Sequence, residues 1–186
     1  MAQGREPLRG VVGDARFVSA TLPSGAGWTP ALPTGAIVPG RGFGVDTGAH
    51  LFIGPGRHRR LGVGLSGLLS QGRATGLAPA PTVTTRFLAA APHASMNFGH
   101  AQGWSYLSAG VGLAKVTSEY DDGASEPAKW GTAIHYGGGA RWFLNERVAV
   151  SLDLRFWALT PRPATTARPR APATTRIALG AGLAFH

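Results

Sequence analysis

With 186 residues, 28 of them glycine, and a formal net charge of +9, the sequence suits a single domain. The lack of cysteine excludes a disulfide framework and a thiolate metal site, and no apolar run approaches the roughly 18 residues of a transmembrane helix. Because the arginines are scattered and accompany no nucleic-acid-binding motif or basic helix, we expect no nucleic-acid partner.

The first 41 residues carry the weakest pattern. Residues 1–10, MAQGREPLRG, lack the basic segment and apolar run of a signal peptide, and we expect them to be disordered. We interpret the chain as a mature sequence whose signal peptide has been removed; a protein that was never exported is the alternative. A strand is predicted for residues 11–22, in which Asp14 and Arg16 share one face, and a loop rich in Pro and Gly follows.

From residue 42 onward, apolar residues recur at every second position, which is the period of a β-strand with one apolar face. In residues 42–53, for example, Val45 and Leu51 alternate with Gly44 and His50. Pro92 lies inside a predicted strand and predicts a bulge or a locally weak pairing. Eight strands are predicted in all, at residues 11–22, 42–53, 61–71, 82–99, 104–117, 132–144, 148–159 and 175–186.

The connections between these strands alternate between long and short. They comprise residues 23–41, 54–60, 72–81, 100–103, 118–130, 145–147 and 160–174. Outer-membrane barrels have this asymmetry, with short periplasmic turns and longer extracellular loops. A soluble meander has no reason to produce it, so the alternation favours a membrane barrel.

Two segments carry a family resemblance. The last, RIALGAGLAFH, resembles the C-terminal assembly signal of outer-membrane β-barrels, although His186 follows the aromatic Phe185 that usually ends the pattern. The other, YGGGARWFLNERVAVSLDLRFW, resembles a hairpin of the small barrels related to the transmembrane domain of outer membrane protein A and to the opacity-protein-like barrels. The resemblance implies an all-β, eight-stranded antiparallel up-and-down transmembrane β-barrel in the bacterial outer membrane.

Glycine decides which face of the strands points inward. Many glycines, such as Gly64, Gly110 and Gly137, fall on the face opposite the large apolar residues, and a narrow eight-stranded interior requires small residues there. The charged residues on that face need partners, because a buried charge is costly unless it is paired. We expect a salt-bridged plug, with a charge-lined conducting path as the alternative. Its predicted members are Asp46, His50, His135, Arg141, Asp153 and Arg155.

Signs of catalysis are weak. The six histidines form no i, i+4 pair and no HExxH motif, and no GxSxG elbow occurs. His93 and Ser95 resemble the His-x-Ser pair of outer-membrane lipid A deacylases, but those enzymes act from the lipid-facing surface, whereas both residues alternate onto the inner face here. We therefore expect no enzymatic activity, no cofactor and no metal.

Function is expected to reside in the long loops. Arg162, Arg168 and Arg170 are candidates for binding lipopolysaccharide phosphates or an acidic surface polymer, and Asp121 and Asp122 are further candidate contacts. We predict a monomeric, structural or adhesive surface protein surrounded by outer-membrane lipid. The alternatives are a soluble lipocalin-like calyx that binds a small hydrophobic ligand, and a narrow porin-like channel.

Overall fold

The computed structural model describes residues 10–25, 27–29, 34–53, 59–100, 103–121, 129–164 and 169–185. The segment predicted to be disordered, residues 1–10, lies outside these ranges except for Gly10. Within the described residues, no helix has the length and hydropathy needed to cross a bilayer.

Eight antiparallel strands close into a single barrel in chain order, and the first strand pairs with the last. The predicted fold class, an eight-stranded up-and-down barrel, is confirmed. The strands are β1 (Val11–Thr21), β2 (Arg41–Ile53), β3 (Arg59–Thr75), β4 (Thr82–His100), β5 (Gly103–Tyr120), β6 (Gly131–Phe143), β7 (Val148–Leu159) and β8 (Thr174–Phe185).

The register staggers the strands around the barrel. Starting at Ala20 and following paired residues once around leads to Phe52, whose N–H donates to the carbonyl of Gly10 at 3.2 Å, ten residues before the start. The intermediate residues are Ala178, Arg155, Gly137, Ser108, Ser95 and Gly62. Such a stagger tilts the strands, and eight of them enclose an interior that side chains fill.

Strands β3 and β5 extend farther toward the long loops than the sequence pattern predicts, whereas β4 begins at Thr82 as predicted. The predicted loop 72–81 shrinks to residues 76–81, because Thr75 pairs with Thr82, and β5 continues to Tyr120 instead of ending at residue 117. The apolar alternation ends earlier than the strands do, since outward residues such as Arg73 and Glu119 are polar in these extensions. The extensions lie at the end of the barrel that carries the long loops, here called the long-loop end; the other is the short-turn end.

Pro92 interrupts one ladder without changing its register. Ala90 pairs with Leu113 and His93 with Gly110, so the two strands stay aligned, while residues 91 and 92 have no paired residue on β5. The predicted weak pairing is thus present, and the predicted bulge is wrong because no extra residue enters the ladder.

The inner and outer faces are the reverse of those in a water-soluble protein. Large apolar side chains point outward and stay exposed, including Leu65 at 58% and Val111 at 57%. The interior has three layers instead. An apolar layer at the long-loop end contains Leu22, Phe87 and Trp157, a charged layer occupies the middle, and a smaller apolar layer around Val12 and Trp104 closes the short-turn end. A soluble calyx requires the opposite arrangement.

Candidate functional site

The charged layer consists of Asp14, Arg16, Asp46, Arg141, Asp153 and Arg155, each no more than 5% exposed. Its hub is Asp14 on β1. Arg141 donates to the two carboxylate oxygens of Asp14 at 3.0 and 2.7 Å, and Arg16 Nη2 lies 2.7 Å from the same carboxylate. His50 Nε2 lies 3.3 Å from Asp14 Oδ2. The hub therefore joins β1, β2 and β6 across the lumen.

Arg16 extends this network to the other carboxylates. Its Nη1 donates to Asp46 at 2.7 Å and its Nε to Ser151 Oγ at 2.6 Å. Its Nη2 donates to the hydroxyl of Tyr106 at 3.1 Å, and that hydroxyl donates in turn to Asp153. A guanidinium with several donors in a fixed plane can bridge groups on different strands in this way.

Arg155 completes the layer from β7. Its Nε donates to Asp153 at 2.7 Å, and its Nη1 lies 3.4 Å from Asp46 Oδ2. Three aspartates and three arginines balance to a formal charge of zero, so the net charge of +9 lies outside the charged layer.

All six residues predicted for the lumen lie inside the barrel, and the structure adds which of them pair, which the sequence left open. Arg141 and Asp153 belong to one hairpin, yet Arg141 pairs with Asp14, 127 positions away in the chain. Sequence reasoning missed Asp14 and Arg16 as network members, as well as Tyr106 and Ser151. The signal for the first two was present, since an Asp and an Arg two positions apart on one face of a strand rarely face lipid.

A row of aromatic rings crosses the lumen beside this network. The centroids of His50 and His93 are 4.6 Å apart, those of His93 and His135 are 5.4 Å apart, and His135 lies 5.0 Å from Trp157. His93 Nε2 and His50 Nδ1 are 3.2 Å apart, a hydrogen-bonding distance. No three His, Asp or Glu side chains among the described residues are placed to share a metal ion.

Glycines on the neighbouring strands make room for these rings. Gly64 separates His50 from His93 in the register, and Gly110 separates His93 from His135. A Cβ on Gly64 would lie 2.8 Å from His93 Nε2, and one on Gly110 would lie 2.8 Å from His135 Nε2. The imidazoles of His93 and His135 thus pack over the glycines of the adjacent strands, where a side chain would collide with them.

No family model and no curated protein sequence matches this chain. Several solved structures do. Ail of Yersinia pestis in complex with the heparin analogue sucrose octasulfate matches with a TM-score of 0.55 and 14% identity over 96% of this chain and 100% of that one. Neisserial surface protein A matches with a TM-score of 0.58 and 14% identity over 94% and 95% of the two chains. OprG of Pseudomonas aeruginosa matches with a TM-score of 0.54 and 13% identity over 98% of this chain and 97% of that one.

The fold is that of the small outer-membrane β-barrels. At identities of 13–14% the likeness concerns the fold alone. The side chains that fill this outer-membrane-type barrel must therefore be interpreted from their own contacts.

The loop candidates lie at the long-loop end of this outer-membrane-type barrel where the structure describes them. Asp121 pairs with Arg73 at 3.2 Å on the exposed surface. The guanidinium of Arg162 lies 4.6 Å from the ring of Trp28, which joins the first and last long loops, and Arg170 is exposed. Asp122 and Arg168 lie outside the described residues, as does His186.

His93 and Ser95 both point into the lumen. Ser95 Oγ accepts a hydrogen bond from Asn97 Nδ2 at 3.0 Å, while His93 contacts His50 and His135. The two side chains thus belong to different contacts, and both are no more than 5% exposed. This placement leaves them unable to meet a lipid substrate at the outer surface.

We expect Gly139→Ala to lower the free energy of unfolding by about 1–3 kcal/mol, the usual cost of overpacking. The added Cβ would collide with the backbone carbonyl oxygen of Leu152 and lie 2.7 Å from the Tyr106 hydroxyl oxygen, so both the neighbouring strand and the ring that links Arg16 to Asp153 would have to shift. Urea titration of the barrel refolded in detergent micelles measures the change.

Gly13→Ala on the outer face is the matched control. Its Cβ would have only the carbonyl oxygen of Gly48 near it, at 4.0 Å. Because alanine restricts the unfolded chain more than glycine does, this variant should be unchanged or slightly more stable. Equal losses in both variants would contradict the proposed role of Gly139.

Proposed function

We propose that this chain is a non-enzymatic protein of the bacterial outer membrane that acts through the surface at its long-loop end. The outward apolar side chains support insertion into lipid, because they form a continuous belt that only a hydrocarbon environment stabilises. The charged layer and the apolar layers fill the lumen, which argues against a conducting path. We propose a monomer, since the closed barrel leaves no unpaired strand within the belt.

The observation that carries this proposal is the unequal length of the strands. Strands β3, β4 and β5 have 17, 19 and 18 residues, whereas the other five have 11 to 13. Toward the long-loop end, the last outward apolar residues of these strands are Leu69, Leu88 and Leu113, and polar outward residues lie beyond them. A three-stranded sheet therefore projects beyond the belt as a rigid platform.

Ion pairs stiffen the outer face of this platform. Arg86 donates to both carboxylate oxygens of Glu119 at 2.7 and 2.8 Å and to Gln71 Oε1 at 2.8 Å. Arg73 and Asp121 form a second pair across the sheet. Exposed pairs of this kind add little stability, but they keep the platform soluble beyond the lipid.

One side of the platform extends beyond the end of β6. Pairing between β5 and β6 ends at Ala114, opposite Gly131, whereas pairing between β5 and β4 continues to Tyr120. The backbone of β5 therefore reaches farther from the belt than the described part of β6 does.

The charge points to an anionic partner. The long connection that precedes β8 contains Arg162, Arg168 and Arg170 and no acidic residue. Arginine binds sulfate and phosphate groups through paired hydrogen bonds. The complex of Ail with sucrose octasulfate concerns that protein, and we propose the same ligand chemistry here, either a sulfated polymer or lipopolysaccharide phosphate.

Substitution of these arginines tests the proposal. We expect Arg162→Gln/Arg170→Gln to weaken heparin binding by about tenfold or more, because each lost charge-assisted hydrogen bond contributes about 1.5–3 kcal/mol. Arg170→Gln alone, which leaves the Arg162 contact with Trp28 intact, should produce part of the loss. Binding is measured by retention on heparin and, separately, by binding to lipopolysaccharide vesicles, which distinguishes the two sources of anions.

Arg147→Gln is the control, because Arg147 lies in the turn before β7 at the short-turn end. It removes the same charge from the opposite end of the barrel. If it weakens binding as much as the double variant does, general electrostatic attraction explains the result and the assigned surface is wrong.

A further inference from the structure

The stagger of the strands determines which residues lie at the same height on the outer face. The register shifts by ten residues around eight strands, or about 1.25 residues for each step between neighbouring strands. Arg41 on β2 lies beside Gly72 on β3, and from there this shift leads to one outward residue on each of the next three strands. The four residues at this height, here called the polar row, are Arg41, Gln71, Arg86 and Lys115.

The contacts of the polar row agree with this placement. Arg86 is the register partner of Gln71, and its Nε donates to Gln71 Oε1 at 2.8 Å. Lys115 pairs with Leu88, the outward residue that follows Arg86 along β4. Since neighbouring strands are about 4.8 Å apart, the row spans about 14 Å from Arg41 to Lys115. Three cations therefore lie on a short arc of the outer face.

The polar row marks the edge of the apolar belt. The next outward residues toward the short-turn end are all apolar and exposed, namely Phe43, Leu69, Leu88 and Leu113. Arginine and lysine side chains at such an edge keep their alkyl stems on the apolar surface and extend their charged ends to the lipid headgroups. The cations of the row are therefore placed to meet lipid phosphate groups.

This charge is confined to one side of the barrel. At the same height the opposite side presents hydroxyl groups, from Thr21 on β1, Thr160 after β7 and Thr175 on β8. On the row itself, Arg86 is paired with Glu119, which lies farther from the belt on β5. Within the described part of the chain, no carboxylate pairs with either of the other two cations. The row thus carries positive charge that an anionic lipid can neutralise.

The height of the platform above the row indicates which lipid fits. From Leu69 to Thr75, β3 continues for six residues beyond the belt, which is about 15 Å along the barrel axis at the usual rise and tilt of barrel strands. The headgroup region of a phospholipid is only about 5–8 Å thick. A lipid that carries both phosphate and an extended saccharide can contact the row and the polar face of the platform together.

We propose that the polar row binds the phosphate groups of lipopolysaccharide, whose saccharide lies against the outer face of the platform. Arg41 and Lys115 donate charge-assisted hydrogen bonds to phosphate. Gln71 accepts from Arg86 through its carbonyl oxygen, which leaves its amide group to donate. The site lies on the lipid-facing side of the barrel and is independent of the loop arginines proposed to bind anionic polymers.

Competition for a labelled lipid tests the site. The protein is reconstituted into phosphatidylcholine nanodiscs that contain a trace of fluorescent lipopolysaccharide, and energy transfer from the tryptophans reports labelled lipid beside the barrel. We expect unlabelled lipopolysaccharide to displace the label at a mole fraction about tenfold lower than phosphatidylglycerol or dephosphorylated lipopolysaccharide requires.

The variant Arg41→Gln/Lys115→Gln should raise the half-displacing mole fraction of lipopolysaccharide by about tenfold or more, because both cations at the ends of the row are removed. Both side chains are on the outer face, so the variant should fold, as the mobility of unboiled protein on a gel verifies, and retention on heparin should be unchanged. Arg147→Gln, which removes one charge at the short-turn end, is the control for Lys115→Gln alone.

An unchanged half-displacing fraction in the double variant, or equal losses in Arg147→Gln and Lys115→Gln, would overturn the proposal. Equal displacement by phosphatidylglycerol and lipopolysaccharide would also overturn it, since general attraction to anionic lipid would then explain the binding. Heparin retention reports the loop arginines instead, so the failure of either proposal can be recognised separately.

Discussion

Asp14→Asn should lower the free energy of unfolding by about 3–5 kcal/mol, the usual cost of removing one partner from a buried ion pair. Asparagine has nearly the same size as aspartate but carries no charge. Arg141 and Arg16, both no more than 2% exposed, would then keep their charges beside a neutral amide. The loss should exceed that of any single substitution on the outer polar surface.

Urea titration of the refolded barrel measures this change. Unfolding is monitored by tryptophan fluorescence and by the mobility of unboiled protein on a gel. Asp121→Asn is the matched control, since it removes one charge from the exposed pair with Arg73, whose two side chains are 51% and 64% exposed. That pair should contribute less than about 1 kcal/mol. Similar losses in both variants would contradict the role assigned to Asp14 as the hub of the network.

The second substitution Arg141→Gln refines the interpretation. If the cost of Asp14→Asn arises from an unpaired guanidinium, then removing Arg141 in the same chain should recover part of the loss. Purely additive losses would instead indicate that Asp14 acts through packing. The double-mutant cycle thus separates charge pairing from shape.

The strands of this barrel are predictable because apolar and small residues alternate at every second position, and no segment shows the 3.6-residue repeat of a helix. Strand β7 (Val148–Leu159) shows why: its even-numbered residues Val150, Leu152 and Leu154 are exposed, whereas Ser151 between them is buried. A period of two places every second residue on one face, whatever surrounds that face. The choice between a lipid-facing and a core-facing apolar side depended on the glycines of the opposite face.

The partners of the charged residues were not predictable from the same pattern. Arg141 meets Asp14 only because β1 pairs with β8 and the register staggers by ten residues around the barrel. The alternation of apolar and small residues assigns a residue to the inner or outer face. Its height along the barrel axis depends on the register of every pair of strands. A contact between residues 127 positions apart therefore requires the closed structure.

The platform was missed for a different physical reason. Beyond Leu69 on β3 the outward residues become Gln71, Arg73 and Thr75, while Ala74 between them is small. A strand that leaves the apolar belt loses the apolar face by which it is recognised, although its backbone ladder continues to Thr75. Sequence patterns therefore locate the end of the belt more reliably than the end of the strand.

An arginine in the middle of the outward belt should lower the free energy of unfolding, measured in lipid vesicles, by about 2–4 kcal/mol. Ala94→Arg is the suitable substitution, because Ala94 is exposed on the outer face of β4 between Leu88 and Phe98 and its replacement leaves no cavity. The guanidinium would have to displace lipid or bend toward the interface. Folding into vesicles of defined thickness is measured by urea titration.

Thr84→Arg is the control on the same face of the same strand, ten residues away and within the platform. Thr84 pairs with Arg73 on one side and with Glu119 on the other, so a new cation there has one basic and one acidic neighbour, whose effects offset each other, and water around it. We expect a change within about 0.5 kcal/mol, as for ordinary surface substitutions. If Ala94→Arg were equally neutral and the chain folded in buffer without lipid, the outer face would be a water-facing surface. The apolar residues that cover it argue against that outcome, since a monomer in water rarely exposes so large an apolar area.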